Sequence, residues 1–349
     1  MQKIPVGVLG ATGVVGQRFL ALLEHHPWFE PVWLAASDRS SGKRYAEATA
    51  WRLATPMPER FAGLALSAAD PAHCPVKLIF ASTDAASARQ LEPAFAAAGK
   101  VVVSNSSALR MQADVPLMVP ECNAAHLALI ERQPSFAAAG GYVVTNPNCS
   151  AVGMVMALAP LQQAFGLKRV TVVTMQALSG AGYPGVASLD IVGNVIPYIA
   201  NEEEKLEQEA QKILGRLEGG AIAPAGFVVS ASCNRVGVVD GHLEAVSVEL
   251  ARKASLEEVA EAMRAFRGRP QELRLPSAPE TPLELLAAPD RPQPRLDVDR
   301  GRGMTVSVGR LRPCPIFDYK FSVLSHNTLR GAAGAALLNA ELLHAEGRL

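Results

Sequence analysis

The chain carries 349 residues, 49% of them hydrophobic and 19% charged, with 33 basic and 33 acidic side chains and a formal net charge of zero. That length holds about two domains with sizeable cores, and charges so interleaved exclude a nucleic-acid or membrane-surface partner. Five scattered cysteines without paired metal-ligand spacing fit a reducing cytoplasm, with no disulfide framework and no metal site.

No basic stretch followed by an apolar run opens the chain, so no signal peptide is expected. No apolar run reaches membrane-spanning length. Residues 4–16 read as a strand, a Gly-rich turn and the start of a helix. Gly10, Gly13 and Gly16 give a G-x-x-G-x-x-G spacing, a variant of the dinucleotide fingerprint. Glycines there let backbone approach a pyrophosphate, and the helix N-terminus favours its charge. The next strand-like run, 31–36, leads into Ser37, Asp38, Arg39 and Ser40. An acid at this point suits the ribose hydroxyls of NAD, whereas an arginine among small hydroxyls suits a 2′-phosphate. Asp38 argues for the first; Ser37, Arg39 and Ser40 favour NADP. Strand-like runs at 76–81 and 100–104, with alanine-rich helical segments between, predict a Rossmann-type doubly wound parallel sheet in an α/β fold. Ligands sit at the carboxyl ends of such strands. Thr83 and Asn105 are therefore candidates, with plain helix caps as the alternative, and Ser82 reads as a cap alone.

Cys149 follows an Asn146-Pro147-Asn148 turn and precedes an apolar, helix-like run. Exposed N–H groups and the positive end of a helix dipole favour thiolate over thiol. The thiolate is the nucleophile, so the placement suits covalent catalysis; a buried inert cysteine is the alternative. Beyond it, residues 168–176, 227–232 and 243–250 read as longer strands, and 202–214 as a charged helix stopped by Gly215. These predict a second α+β domain with a mixed or antiparallel sheet. Residues 269–303 read as irregular connection. Ser325 opens a last helix of small residues, expected to return to the nucleotide domain. The division is 1–148 with 326–349, and 149–325.

With these motifs assembled, the chain closely resembles the aspartate-β-semialdehyde dehydrogenases, in their archaeal and fungal branch. GATGVVGQRF, SNSSALRM, TNPNCSAVGM, QALSGAGYPGVASLDIVGNVIPYI, NEEEKLEQE, NRVGVVDGHLE and SHNTLRGAAG carry the resemblance, which spans nearly the whole chain. It implies reductive dephosphorylation of L-4-aspartyl phosphate to aspartate semialdehyde, with NADP, through a thioacyl enzyme. It implies Cys149 as nucleophile, His242 as general acid/base and Gln176 as the residue that orients the acyl group. Arg235 matches the residue on the substrate carboxylate, Glu203 on the amine, and Arg110 and Lys205 on the phosphate. The Glu202 to Glu204 run leaves the amine partner ambiguous by one residue, and Glu204 reads as solvated. Asn148 is a donor toward phosphate or oxyanion. Gly10, Thr12, Gly13, Val14 and Val15 match the pyrophosphate turn, Ser37 and Arg39 the adenosine side, and Ser179, Gly182 and Asn327 the nicotinamide end. The histidine motif departs from a common family form in reading Val236-Gly237, with no proline after the valine. A homodimer or dimer of dimers is implied as well. Two rivals stay open: an acyl-thioester reductase like malonyl-CoA reductase, which needs a CoA cleft, and a non-catalytic NADP-binding protein.

Overall fold

The computed structural model describes residues 2–37 and 39–349; Asp38 lies outside the described residues. Six strands, β1 (Ile4–Leu9), β2 (Phe29–Ala36), β3 (Leu66–Ala68), β4 (Leu78–Ala81), β5 (Val101–Ser104) and β6 (Tyr142–Thr145), form one sheet in the order β3-β2-β1-β4-β5-β6. Every pairing in it is parallel. The order reverses between β1 and β4, which opens a crevice at their carboxyl ends. Strands covered on both faces read as continuous apolar runs; β4 and β5 are buried at every position.

Helix α1 (Val14–Leu23) leaves β1 through the glycine turn. Gly10 sits at φ +82°, and a Cβ on Gly16 would lie 2.3 Å from the Gly10 carbonyl oxygen. Only glycine allows strand, turn and helix to pack this closely. Helix α2 (Ala85–Ala97) follows β4 and is capped by Asp84, not by Ser82 or Thr83.

Helix α3 (Cys149–Phe165) starts four residues past β6 and is buried from Ser150 to Leu161. It lies in the core of a second, mixed sheet, with β7 (Leu167–Gln176), the small hairpin β8 (Arg216–Glu218) and β9 (Ala221–Ala223) apart from it, then β10 (Val228–Arg235), β11 (His242–Leu250), β12 (Leu283–Leu286), β13 (Val306–Pro313) and β14 (Tyr319–Ser325). The sheet order is β10-β7-β11-β14-β13-β12. Its three central pairings are antiparallel and its two edge pairings parallel. Alternation along β11 turns His242, Glu244, Val246, Val248 and Leu250 inward. Helix α4 (Glu202–Ile213) covers the same core through Leu206, Ala210 and Ile213.

Two expectations need correction. Residues 283–286 are not irregular: they form the edge strand β12, too short and too flanked by proline for period-two patterning to register. The last helix does not open at Ser325, which ends β14. A π-helical turn at Leu329–Ala333 precedes α5 (Gly334–Ala345). Leu337, Leu338, Leu342 and Leu343 of α5 share a core with Val6, Phe19 and Phe80, so the last helix packs into the first sheet's layer. Among the described residues no helix is long and apolar enough to cross a membrane.

Candidate active site

A cleft of about 560 Å³ runs between the two domains. Val14, Val15, Thr83 and Asn105 line it beside the first sheet, with Asn327 from the stretch after β14, Ser179 and Gly182 from the loop after β7, and Cys149, Arg110, Glu202, Lys205 and Arg235 between them. The parallel sheet delivers β6, and hence the N-terminus of α3, to this junction.

Cys149 Sγ lies 3.1 Å from His242 Nε2. The ring is fully buried, behind the sulfur. Its other nitrogen, Nδ1, accepts the Ala177 N–H at 3.0 Å. A neutral ring that accepts at Nδ1 carries its proton on Nε2, so His242 presents a donor to the sulfur. The Ala177 carbonyl accepts from Arg235 Nη1 at 2.7 Å, so one residue orients both ring and guanidinium. Burial, then the Arg235 charge, pulls the His242 pKa down to about 3. Burial and the Glu202 carboxylate push the Cys149 thiol up to about 12, against the pull of Arg110 and Arg235. Burial of the sulfur thus opposes the pull expected of the helix N-terminus. Both shifts favour the neutral forms, thiol and imidazole.

Around the sulfur the charges are paired. Glu202 is buried, accepting from Lys205 Nζ at 2.9 Å, Asn148 Nδ2 at 2.8 Å and Gln176 Nε2 at 3.4 Å. Glu203, expected at the substrate amine, is the correction: it turns off the cleft, where its Oε1 accepts the Cys233 N–H at 3.0 Å. Adjacent residues on a helix point about 100° apart, so only one of them can face the pocket. Glu204 is exposed. Asn148 is first a helix cap, its Oδ1 accepting from the Ser150 and Ala151 N–H groups at 2.9 and 3.3 Å. Its Nδ2 donor is engaged by Glu202. Arg110 is 7% exposed, donates to Glu209 and the Asn105 carbonyl at 2.9 Å each, and keeps a buried Nε without a protein partner.

On the cofactor side, Val14 and Val15 open α1 on the cleft. Thr83 Oγ1 is buried there without a protein acceptor or donor. Gly182, at φ +72°, has nothing within 4 Å of a Cβ position. Asn327 donates to Ser179 Oγ at 2.7 Å and accepts the Gly241 N–H at 2.9 Å, so the two residues that the resemblance puts at the nicotinamide end are braced by their own hydrogen bonds. Ser37, Arg39 and Ser40 lie in the turn beyond β2, with Ser37 and Arg39 exposed and Ser40 half-buried. A turn that excludes a Cβ, an orphaned hydroxyl and an exposed arginine past β2 fit a pyridine dinucleotide with a 2′-phosphate. Sequence reasoning missed Glu209, Ala177 and Gly331, whose Cβ position lies 2.8 Å from Cys149 Cβ. For Glu209 a sign existed: Glu202, Lys205, Glu209 and Lys212 recur on one helix face.

A dinucleotide crevice that ends on a cysteine–histidine pair ringed by arginines defines a class, the pyridine-nucleotide dehydrogenases that work through a covalent cysteine. Residues 5–130 match the family model for the semialdehyde dehydrogenase NAD binding domain, and 158–330 that for the semialdehyde dehydrogenase dimerisation domain. The chain is 49% identical to the aspartate-semialdehyde dehydrogenase of Archaeoglobus fulgidus, over 98% of each chain. It is 47% identical to that of Aspergillus fumigatus, over 99% of this chain and 98% of the relative. The crystal structure of the Candida albicans enzyme with NADP superposes with a TM-score of 0.92 at 41% identity, over 99% of this chain and all of that one. The chain belongs to the aspartate-semialdehyde dehydrogenase family.

Proposed function

We propose that the protein catalyses NADP-dependent reductive dephosphorylation of L-4-aspartyl phosphate to aspartate 4-semialdehyde, and its reverse. The observation that carries this reading is the Cys149–His242 pair, 3.1 Å apart, on a cleft shared by Arg110, Lys205 and Arg235. Arg235 takes the substrate carboxylate in a planar fork. Glu202 takes the amine, a role open to it because it faces the cleft. Arg110 and Lys205 take the phosphate, and the orphaned Arg110 Nε supports a missing anionic partner there.

Attack of Cys149 Sγ on the acyl carbon forms the C–S bond and breaks the C–O bond to phosphate. The thiol proton leaves with the phosphate, whose oxygens are within reach of the cations that stabilise the departing charge. When bound, NADPH supplies the hydride to the thioester carbon. His242 Nε2–H then donates a hydrogen bond to the oxyanion; collapse of that centre breaks the C–S bond, releases the aldehyde and returns the sulfur as thiolate, which takes up one proton from solvent by way of His242 to restore the thiol. Gln176 and Asn148 fix Glu202, and through it the substrate amine. We assign 1–148 with 326–349 to the dinucleotide domain and 149–325 to the catalytic and dimerisation domain. The assembly is read as a homodimer, with a dimer of dimers as the finer assignment. Five free cysteines suit a reducing, cytoplasmic setting.

The test is NADP reduction with aspartate semialdehyde, followed by nicotinamide absorbance, with phosphate, with CoA and with neither. Phosphate-dependent activity is expected. Activity with CoA alone makes the protein an acyl-thioester reductase, and no activity in any arm leaves a non-catalytic NADP-binding protein.

A further inference from the structure

Helix α4 puts two more charges on the face that carries Glu202 and Lys205. Glu209 is 2% exposed and does not line the cleft. Its Oε1 accepts from Arg110 Nη1 at 2.9 Å, and its Oε2 accepts the backbone N–H of Asn148 at 2.5 Å. One carboxylate thus joins the anion-side arginine of the first domain to the residue that caps the nucleophile helix. One turn on, Lys212 Nζ donates to the carbonyls of Arg110, Gln112 and Val115 at 2.6–2.7 Å. The 110–115 loop is therefore pinned at its backbone by Lys212 and at its guanidinium by Glu209. With one N–H of Nη1 on Glu209 and one of Nη2 on the Asn105 carbonyl, three of the five guanidinium N–H groups stay uncommitted, that of Nε buried without a protein partner.

We propose that Glu209 is a positioning residue for the phosphate step: it holds the Arg110 fork and the Asn148 backbone in one frame, so that the anion sits at a fixed distance from Cys149. The inference rests on the reading of Arg110 as phosphate ligand. Two roles for such a carboxylate predict opposite signs. A mere counter-charge weakens the pull of Arg110, so its removal tightens phosphate. A positioning group keeps a bidentate donor aligned, and its removal loosens phosphate. The bridging geometry favours the second, because both carboxylate oxygens are used and each serves a different element.

The test is E209Q. Glutamine keeps the shape but has one acceptor, so its amide NH2 meets either Arg110 or Asn148 donor to donor. The expected result is a KM for phosphate raised about tenfold or more, with the KM for NADP changed less than about twofold, consistent with a site far from the adenosine turn. The phosphate concentration that half-protects Cys149 from iodoacetamide should rise by the same factor. An unchanged or lowered phosphate KM overturns the proposal, as does a parallel rise for NADP, which would mark general loosening. E209D, which keeps the charge but is one methylene short of both donors, serves if E209Q does not fold, and is read by the same ratios. R110Q, run alongside, separates the two claims. If R110Q leaves phosphate binding intact, the reading of the anion site fails; if R110Q weakens it and E209Q does not, only the role of Glu209 fails.

Discussion

On β11, His242 and Glu244 stand two residues apart on the buried face, and burial shifts them in opposite senses. His242 is pulled down to about 3, and Glu244, with both oxygens unpartnered, is raised well above its ordinary value. Both shifts favour the neutral form, and each links stability to pH. The unfolded histidine binds a proton below about pH 6.5 that the folded one does not, so its contribution is lost as pH falls through that value. The folded Glu244 keeps a proton that the unfolded one releases above about 4.3, so its contribution is lost as pH rises. Between those values the two slopes oppose one another. E244Q should therefore gain stability over the parent at pH 8 and little at pH 4, and H242Q should gain at pH 5 and little at pH 8. Urea unfolding of the three proteins at those values checks this; parallel curves would mean that neither group is neutral in the native state. None of this was visible in the sequence, where Cys149 promised a thiolate. A helix N-terminus is local and legible, but the burial that opposes its effect comes from residues distant in sequence, His242 among them.

Elements were more legible than side-chain directions. Strands β1, β2, β4, β5, β7, β10 and β11, the glycine turn and α4 follow from periodicity and turn residues, because each is decided within about ten residues; β3, β6, β13 and β14 went unread. Strand β12 escaped, being four residues long, and so did the choice between Glu202 and Glu203, which turns on the exact phase of α4. The π-helical turn before α5 escaped for a related reason: its purpose is tertiary. It places Arg330 on Glu121 as a buried bidentate pair at 2.8 and 2.6 Å, with Met156 of α3 against the same guanidinium. It also lays Gly331 directly on Cys149. G331A brings a methyl to within 2.8 Å of Cys149 Cβ, and α3 is packed too tightly to retreat. We expect kcat to fall by roughly 10²-fold, since displacement of a reacting atom by about 1 Å is enough for that, while the far-ultraviolet spectrum and NADP affinity stay near those of the parent. A variant with parental kcat would show that turnover tolerates movement of Cys149.

At the scale of the molecule, the segment between Gly182 and α4 carries a run of exposed large apolar side chains. Leu189, Val192, Val195 and Tyr198 are all more than half exposed, Leu189 at 91%. The outer face of β7 and β10 adds Val173 and Val228. Large apolar side chains in such numbers mark a surface that is covered by something, and the matched dimerisation domain spans all of them. The same segment reaches the active site through its backbone. Ile196 and Arg235 exchange both N–H···O bonds, at 3.0 and 2.8 Å, so the arginine read as the carboxylate ligand hangs on a strand-like stretch whose other side chains face out. At its head, Tyr183 lies under Arg52 of the first domain, 4.0 Å from guanidinium carbon to ring centroid. If a second copy covers the segment, association should order Arg235. L189D with V192D, both changes far outside the cores, should shift the sedimenting species from dimer toward monomer. It should also raise the KM for aspartate semialdehyde several-fold, by about 1 kcal/mol of lost ordering, with NADP binding little changed. Dilution of the parent protein should reproduce the same KM shift. A monomeric variant with parental kinetics would place the dimer elsewhere in the biology of the protein and leave Arg235 ordered by its own chain alone.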